Sequence, residues 1–379
     1  MAGKPLMVSR IPEALGSYSQ NLEELSSRTD IPIERLRGLS AGADPSMLEV
    51  RKLATALRLS VADMAPMPKE ARQADLLFRA TAKMKNVPVD TLVETLSRKM
   101  GYSLELLQRA PNQIPWWIRE FSELPKNNPE VFALHFRQLF CDGDQVSPLL
   151  LLPTIMVERL QIMLFVINTS YIDGASAYVS GIPFIFVAAR FSARMLFTCA
   201  HELGHVLAHH DPQKDFAMID SDSEIRHSKS STERFAHAFA SAVLIPRAGL
   251  GIVLKQVRKF AGLHSDSPIG DVELLYVSRI FGVSFEVAAR RCEDVDLLPR
   301  GAAASLNEKL KTEYGSAEKR AGLLNLPPRT PVSFPPLPPE LLTSVIEKIR
   351  RGELSLGRAS MMLGLSIGDL LAANVSQTQ

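Results

Sequence analysis

Residues 192–210 read SARMLFTCAHELGHVLAHH, and this run constrains the chain more than any other. Leu196, Phe197, Ala200, Leu203 and Leu207 recur at helical spacing, which predicts an amphipathic helix. Ser192 stands where a helix cap is expected, and Asp211-Pro212 ends the run. His201 and His205 are four apart, so a helix places them on one face, one turn above each other. Two imidazoles so placed reach one Zn2+ at roughly 2.0–2.1 Å each. Glu202 follows the first histidine, where a carboxylate reaches water on such an ion. Zinc lowers the pKa of that water to about 7, so the carboxylate can take a proton and later pass it to a leaving amine. His-Glu-x-x-His on a helix is the pattern that this chemistry requires.

A catalytic zinc wants three protein ligands and one open position. The third ligand must come from another element. Residues 230–246, SSTERFAHAFASAVLIP, form a second amphipathic pattern that stops at Pro246, with Glu233 in its first turn. Spacing alone leaves two roles for Glu233. Ser230-x-x-Glu233 has the form of a capping box, and the same carboxylate can serve a metal. His237 lies one turn beyond Glu233 on the same face. His209 and His210 lie one turn past His205, where a cation favours a helix C-terminus. Tyr178, Arg194 and His237 are the candidates for the donor that a developing oxyanion needs.

These residues resemble the ImmA/IrrE family of zinc metallopeptidases. Phe197-Thr198-Cys199-Ala200-His201 through His205 matches that family's helix, and Glu233 through Ala240 with Leu244-Ile245-Pro246 matches its second. Asp173-Gly174-Ala175-Ser176 upstream, and Val283-Ser284 with Arg290 downstream, fit the family layout, so the likeness spans residues 170–300. It implies a zincin-like fold over 149–300, zinc as cofactor, His201, His205 and Glu233 as ligands and Glu202 as general base. His237 stands where the family usually has asparagine; it reads first as a residue behind the ligands, with hydrogen bonding to substrate or replacement of Glu233 as ligand as the other roles open to it. The resemblance also implies a protein substrate, such as a cognate repressor.

Residues 22–64 resemble a second family, the Cro/C1-type (XRE) helix-turn-helix proteins, and define an expected N-terminal domain over 1–66. Leu22–Arg28 reads as a helix, Asp30 tolerates a left-handed turn, and Pro32 suits the first turn of a helix running to Leu39. Leu48–Leu57 and Val61–Met64 complete the bundle. The likeness implies that Pro32, Glu34, Arg35 and Arg37 face double-stranded DNA, with Arg51 and Lys52 adding a basic patch. Residues 1–64 nevertheless hold eight Lys/Arg against eight Asp/Glu, without the excess cation that phosphate binding draws on. DNA binding and protein docking therefore both stand.

The remainder is punctuated by an apolar-Gly-apolar-Ser pattern at Met100–Ser103, Phe281–Ser284 and Leu363–Ser366, with Arg58 in place of glycine at Leu57–Ser60. Each marks a predicted junction of two helices. Residues 70–108 read as helical, with Pro88 opening a helix, inside a connecting region expected over 67–148. Trp116-Trp117 near Phe121 reads as core. Ile162–Ile167, Ala175–Val179 and Pro183–Val187 read as short strands of one antiparallel sheet. Seven prolines between 327 and 339 predict an extended linker over 301–339, before a helical tail over 340–379. The expected fold class is α+β: a helical HTH bundle followed by the zincin-like domain.

Composition excludes several classes. A net charge of +2 exerts no global pull toward nucleic acid or a membrane surface. The most apolar segment, Leu149–Ile167, is broken by Pro153, Glu158 and Arg159, so no membrane span is expected. The start lacks the basic-then-apolar pattern of a signal peptide. Three scattered cysteines without Cys-x-x-Cys give neither a disulfide framework nor a thiolate metal site. These features predict a cytoplasmic protein.

Overall fold

A computed structural model describes residues 11–16, 21–57, 75, 77–79, 90–107, 114–211, 214–220, 230–264, 267–335, 337–363 and 365–376. They fall into two compact units. One is drawn from within 1–76, 94–108 and 341–379, the other from within 77–93 and 109–340.

In the first unit, α1 (Ile11–Gly16), α2 (Leu22–Thr29), α3 (Ile33–Ser40) and α4 (Met47–Leu57) enclose a core of Leu15, Leu25, Ile31, Leu36, Leu39, Val50 and Leu53. Asp30 takes the left-handed conformation (φ 53°, ψ 40°) that ends α2, and Pro32 precedes α3. Ser46 and Glu49 form a capping box on α4: Glu49 N donates to Ser46 Oγ (3.3 Å), and Ser46 N donates to Glu49 Oε2 (2.6 Å). The junction at Leu57–Ser60 and the helix at Val61–Met64 lie outside the described residues. Of 70–108, residues 70–74, 76, 80–89 (Pro88 included) and 108 lie outside them too.

The junction expected at Met100–Ser103 does not occur. Helix α5 (Asp90–Leu107) runs straight through it. Leu92, Leu96, Met100 and Leu106 keep one buried stripe across Gly101, and Ser103 Oγ turns back to Lys99 O (2.7 Å) instead of starting a new helix.

The second unit contains α6 (Trp116–Ser122), α7 (Pro129–Phe140) and α8 (Leu152–Glu158). Trp117 is core, its Nε1 donating to Leu160 O (3.1 Å). Trp116, also expected in the core, is exposed and rests against the Phe140 ring. Strands β1 (Met163–Ile167), β2 (Gly174–Val179) and β3 (Ile182–Ala188) follow, then α9 (Ser192–Ala208) and β4 (Phe216–Asp220).

The sheet is mixed, not antiparallel as expected, and its order is β1-β3-β2-β4. β2 and β3 form a hairpin through Ser180-Gly181, both at positive φ. β1 pairs parallel with β3, Met163 opposite Phe184. The chain between β1 and β2 steps over one strand position, and β3 inserts between them. β2 and β3 are buried along their whole length, so the core-covered sheet hides the alternation that a half-exposed one would show.

Helices α10 (Ser231–Leu244), α11 (Arg247–Ala261), α12 (Asp271–Ile280), α13 (Phe285–Asp294), α14 (Ala302–Tyr314) and α15 (Ala317–Leu323) complete the unit. The Phe281–Ser284 junction forms as expected: Gly282 has φ 69°, and Ser284 Oγ accepts from Val287 N (3.2 Å) to cap α13. The proline-rich segment is extended but anchored. Arg329 donates to Ser278 O and Val283 O, and Val332 and Phe334 pack against the core. Helices α16 (Pro339–Arg350), α17 (Leu356–Leu363) and α18 (Ile367–Ser376) follow, with Ser344 Oγ donating to Leu106 O (2.6 Å) within the first unit. The last junction includes Gly364, which lies outside the described residues.

Candidate metal centre

Helix α9 lies between the sheet and α10, and every residue in it except Ser192 and Arg194 is buried. Ser192 is its first residue and does not cap it. Phe191 occupies that position, with no side-chain bond. Asp173 supplies the negative charge at this end, since Arg194 Nη2 reaches Asp173 Oδ2 at 2.6 Å. Glycines set the approach of α9 to its neighbours. A Cβ on Gly204 would stand 2.9 Å from the Phe239 ring and 3.2 Å from Ala236 Cα, so α9 and α10 touch backbone to backbone there. A Cβ on Gly174 would stand 2.3 Å from Glu202 Oε1 and 2.7 Å from Thr198 Cγ2, so the start of β2 lies directly against the Glu202 carboxyl.

His201, Glu202, His205 and Glu233 are all buried. His201 Nε2 and His205 Nε2 stand 3.1 Å apart. Glu233 Oε2 lies 3.2 Å from the first and 3.6 Å from the second. Three donors at roughly 2.0–2.1 Å from a tetrahedral zinc would be separated by about 3.3 Å. The observed triangle fits that size, and two imidazole nitrogens with one carboxylate oxygen form a donor set that suits zinc. The Ser230 side chain makes no cap bond, its Oγ lying 2.6 Å from Thr232 Oγ1, while Glu233 Oε2 faces the two histidines.

Two buried arginines fix the far end of α10. Arg137 donates to Val243 O (2.8 Å), and Arg291 donates through Nε to Ile245 O (2.9 Å) while bound to Glu130 through Nη1 and Nη2. Cations at a helix C-terminus are favourably placed, and these hold the element that carries Glu233.

The remaining predicted residues are distributed unevenly. The His237 ring packs 5.0 Å from the His201 ring and 5.2 Å from the Phe197 ring, beside the donor triangle but outside the group of ligand atoms lying within 4.8 Å of one another. Tyr178 is buried on β2, its hydroxyl pushed up to about 12 by burial and then by Asp215. Arg194 is engaged by Asp173 two turns before His201. Thr198 and Cys199 are packing residues, as expected, and burial, then Glu202, pushes the Cys199 thiol far up. Pro32, just before α3, and Glu34 and Arg37 on it are exposed. Arg35 is held instead by Glu49 (2.7 and 3.0 Å) and Asp44 O (2.8 Å).

His209 and His210 depart from the expected role of cations at the helix end. Burial, then His205, lowers His209 to about 4, and burial, then His205, lowers His210 to about 3. Both are neutral near pH 7. His209 Nδ1 lies 2.9 Å from His205 Nδ1, a contact that sequence reading missed. The signal was present, since His209 repeats the four-residue step from His205. His264 is exposed in a loop, while His227 lies outside the described residues.

No curated protein matches the chain. Residues 157–293, which span the sheet, both ligand-bearing helices and all the side chains at this centre, match the family model of the M78 peptidases described as the IrrE N-terminal-like domain, so this part of the chain is similar to a metallopeptidase domain.

Proposed function

We propose that the chain is a zinc-dependent endopeptidase, with His201, His205 and Glu233 as the metal ligands and Glu202 as the general base. The observation that carries this reading is the triangle of 3.1, 3.2 and 3.6 Å between two imidazole nitrogens and one carboxylate oxygen, drawn from two helices. Zinc held there would lower the pKa of water to about 7 and polarise a peptide carbonyl. Glu202 takes a proton at its carboxylate and returns it to the leaving amine. Gly174 leaves the space that lets this carboxyl lie against β2. His237, with its ring beside His201, is better placed than Arg194 to donate to an oxyanion, because Arg194 is committed to Asp173.

The substrate we propose is a cytoplasmic protein partner such as a cognate repressor, a reading that rests on the family likeness. Among the described residues, no single helix is long and apolar enough to cross a membrane. The test compares partner processing by the wild type and by Glu202→Gln, with zinc measured on both. Cleavage lost with zinc retained supports the reading; unchanged cleavage removes it.

A second reading is a DNA-binding regulator whose metal domain senses or docks without cleaving. Exposed Glu34 and Arg37 on α3, with Pro32 just before it, favour it. Against it, Arg35 is consumed within the bundle, and residues 21–57 hold five Lys/Arg against six Asp/Glu.

A further inference from the structure

His205 presents its two ring nitrogens to different neighbours. Nε2 faces the donor triangle, 3.1 Å from His201 Nε2 and 3.6 Å from Glu233 Oε2. Nδ1 faces away from it and lies 2.9 Å from His209 Nδ1. A neutral imidazole carries one N–H, and the nitrogen offered to a cation must be bare. The proton of His205 therefore stands on Nδ1. At 2.9 Å that N–H needs an acceptor, so His209 Nδ1 is bare and the proton of His209 stands on Nε2.

His209 is itself held in place. Its backbone N–H donates to His205 O (2.9 Å), and its ring meets Phe235 edge-on at 5.3 Å. Phe235 belongs to α10, two residues after Glu233. The acceptor is thus braced by both helices that supply ligands. It is not itself a ligand in this arrangement, because it addresses the Nδ1 edge of His205 and stands outside the triangle.

We infer that His209 is a positioning residue for the metal centre: by accepting the Nδ1–H of His205, it fixes the tautomer and ring rotation that leave His205 Nε2 open to a divalent cation. The inference rests on the zinc reading above. Outer partners of this kind are commonly carboxylates, backbone carbonyls or water, and losing one typically costs about 10–100-fold in metal affinity. Here a second imidazole, one helical turn on, does the work.

The test measures zinc affinity on the metal-free full chain by competition with a chromophoric chelator. His209→Leu keeps bulk and removes the acceptor. His209→Asn places an amide oxygen where Nδ1 stood. The expected result is about 10–100-fold weaker zinc binding by His209→Leu, recovery of most of that loss by His209→Asn, and equal melting temperatures for the metal-free proteins. Wild-type affinity in His209→Leu, or an equal loss in His209→Asn, overturns the inference. Imidazole nitrogen NMR on the zinc-loaded wild type tests it without any variant: a proton on Nε2 of His209 supports it, and one on Nδ1 overturns it. His205→Ala separates the two levels. If the wild type binds zinc no better than His205→Ala, the metal reading falls and this inference with it. If zinc binding depends on His205 but is indifferent to His209, this inference alone falls.

Discussion

Helices α3 and α9 both carry polar side chains that a short sequence pattern marks for function, and the two sets end in opposite places. On α9, His201, Glu202 and His205 point inward and are closed over by β2 and α10. On α3, Glu34 and Arg37 are exposed, as is Pro32 just before it, while Arg35 is held by Glu49. Buried polar groups must be arranged, because an unarranged one is costly, so their geometry is evidence of purpose. An exposed set carries no such guarantee, and its charge decides what it can bind. The comparison gives the α9 assignment a physical basis that the α3 assignment lacks.

The largest effect expected is on catalysis. Glu202→Gln should lower partner cleavage by about 10²–10⁴-fold while leaving zinc content and melting temperature in place, since the proposed ligand set of His201, His205 and Glu233 does not include it. Assays of cleavage, metal content and thermal denaturation on one preparation check this. Zinc loss in that variant would break the division of roles within α9.

Next comes the wall against which Glu202 lies. Gly174→Ala places a methyl into Glu202 and Thr198, at 2.3 and 2.7 Å from their atoms. Overpacking of this kind costs about 1–3 kcal/mol, and any relief displaces the carboxyl, so cleavage should fall along with stability. Chemical denaturation with activity measured in parallel reads both. A Gly174→Ala protein with wild-type cleavage would show that the carboxyl position is not set by β2.

The acid side sharpens the comparison further. His210 is buried against the Phe216 ring and lowered to about 3, so the unfolded chain, with an ordinary histidine pKa near 6.5, binds the proton more readily than the fold does. Stability contributed by the neutral ring is present above about pH 6.5 and is lost as pH falls toward 3. The decline should be about 1 kcal/mol per pH unit through that window. His210→Phe should flatten it in denaturation curves taken from pH 7 to pH 4. An unchanged slope would place the acid sensitivity elsewhere.

The smallest effect is expected in the N-terminal bundle. Arg35, followed by Ser46, holds Glu49 down to about 2, so their stabilising contribution is present above the ordinary carboxylate pKa and is lost as pH falls through it toward 2. Arg35→Ala should lower the melting temperature of the bundle slightly, whereas Arg37→Ala should leave it unchanged. Should Arg37→Ala alone weaken duplex binding and reduce its salt dependence, α3 would regain the DNA role.

What was legible in the sequence follows the same division. The shared face of His201 and His205 was legible because helical periodicity is local, and four-residue spacing fixes it before any packing is known; Glu233 was singled out as a third ligand only through the family resemblance, because spacing left its carboxylate two roles. The sheet was legible as strands but not as pairing. β1 pairs with β3, the second strand of the hairpin that follows it, and nothing local to Met163–Ile167 says which neighbour it takes. β4 was missed because Phe216–Asp220 is short and its partner, β2, lies well upstream. Gly101 and Ser103 read as a break because glycine and serine suit junctions, and burial of the stripe on both sides overrode that preference. His209 was read as a cation at the helix end, because its contact with His205 depends on ring rotation, which only a nitrogen-to-nitrogen distance reveals.

The central claim is that two imidazole nitrogens and one carboxylate oxygen hold a single divalent ion. X-ray absorption at the zinc edge, on the wild type loaded with one equivalent and on Glu233→Ala, tests it most directly. The account predicts a shell of nitrogen and oxygen at roughly 2.0–2.1 Å with no sulfur in the wild type, and loss of one oxygen together with weakened zinc retention in Glu233→Ala. A sulfur contribution near 2.3 Å, or identical spectra and occupancy for both proteins, would contradict it.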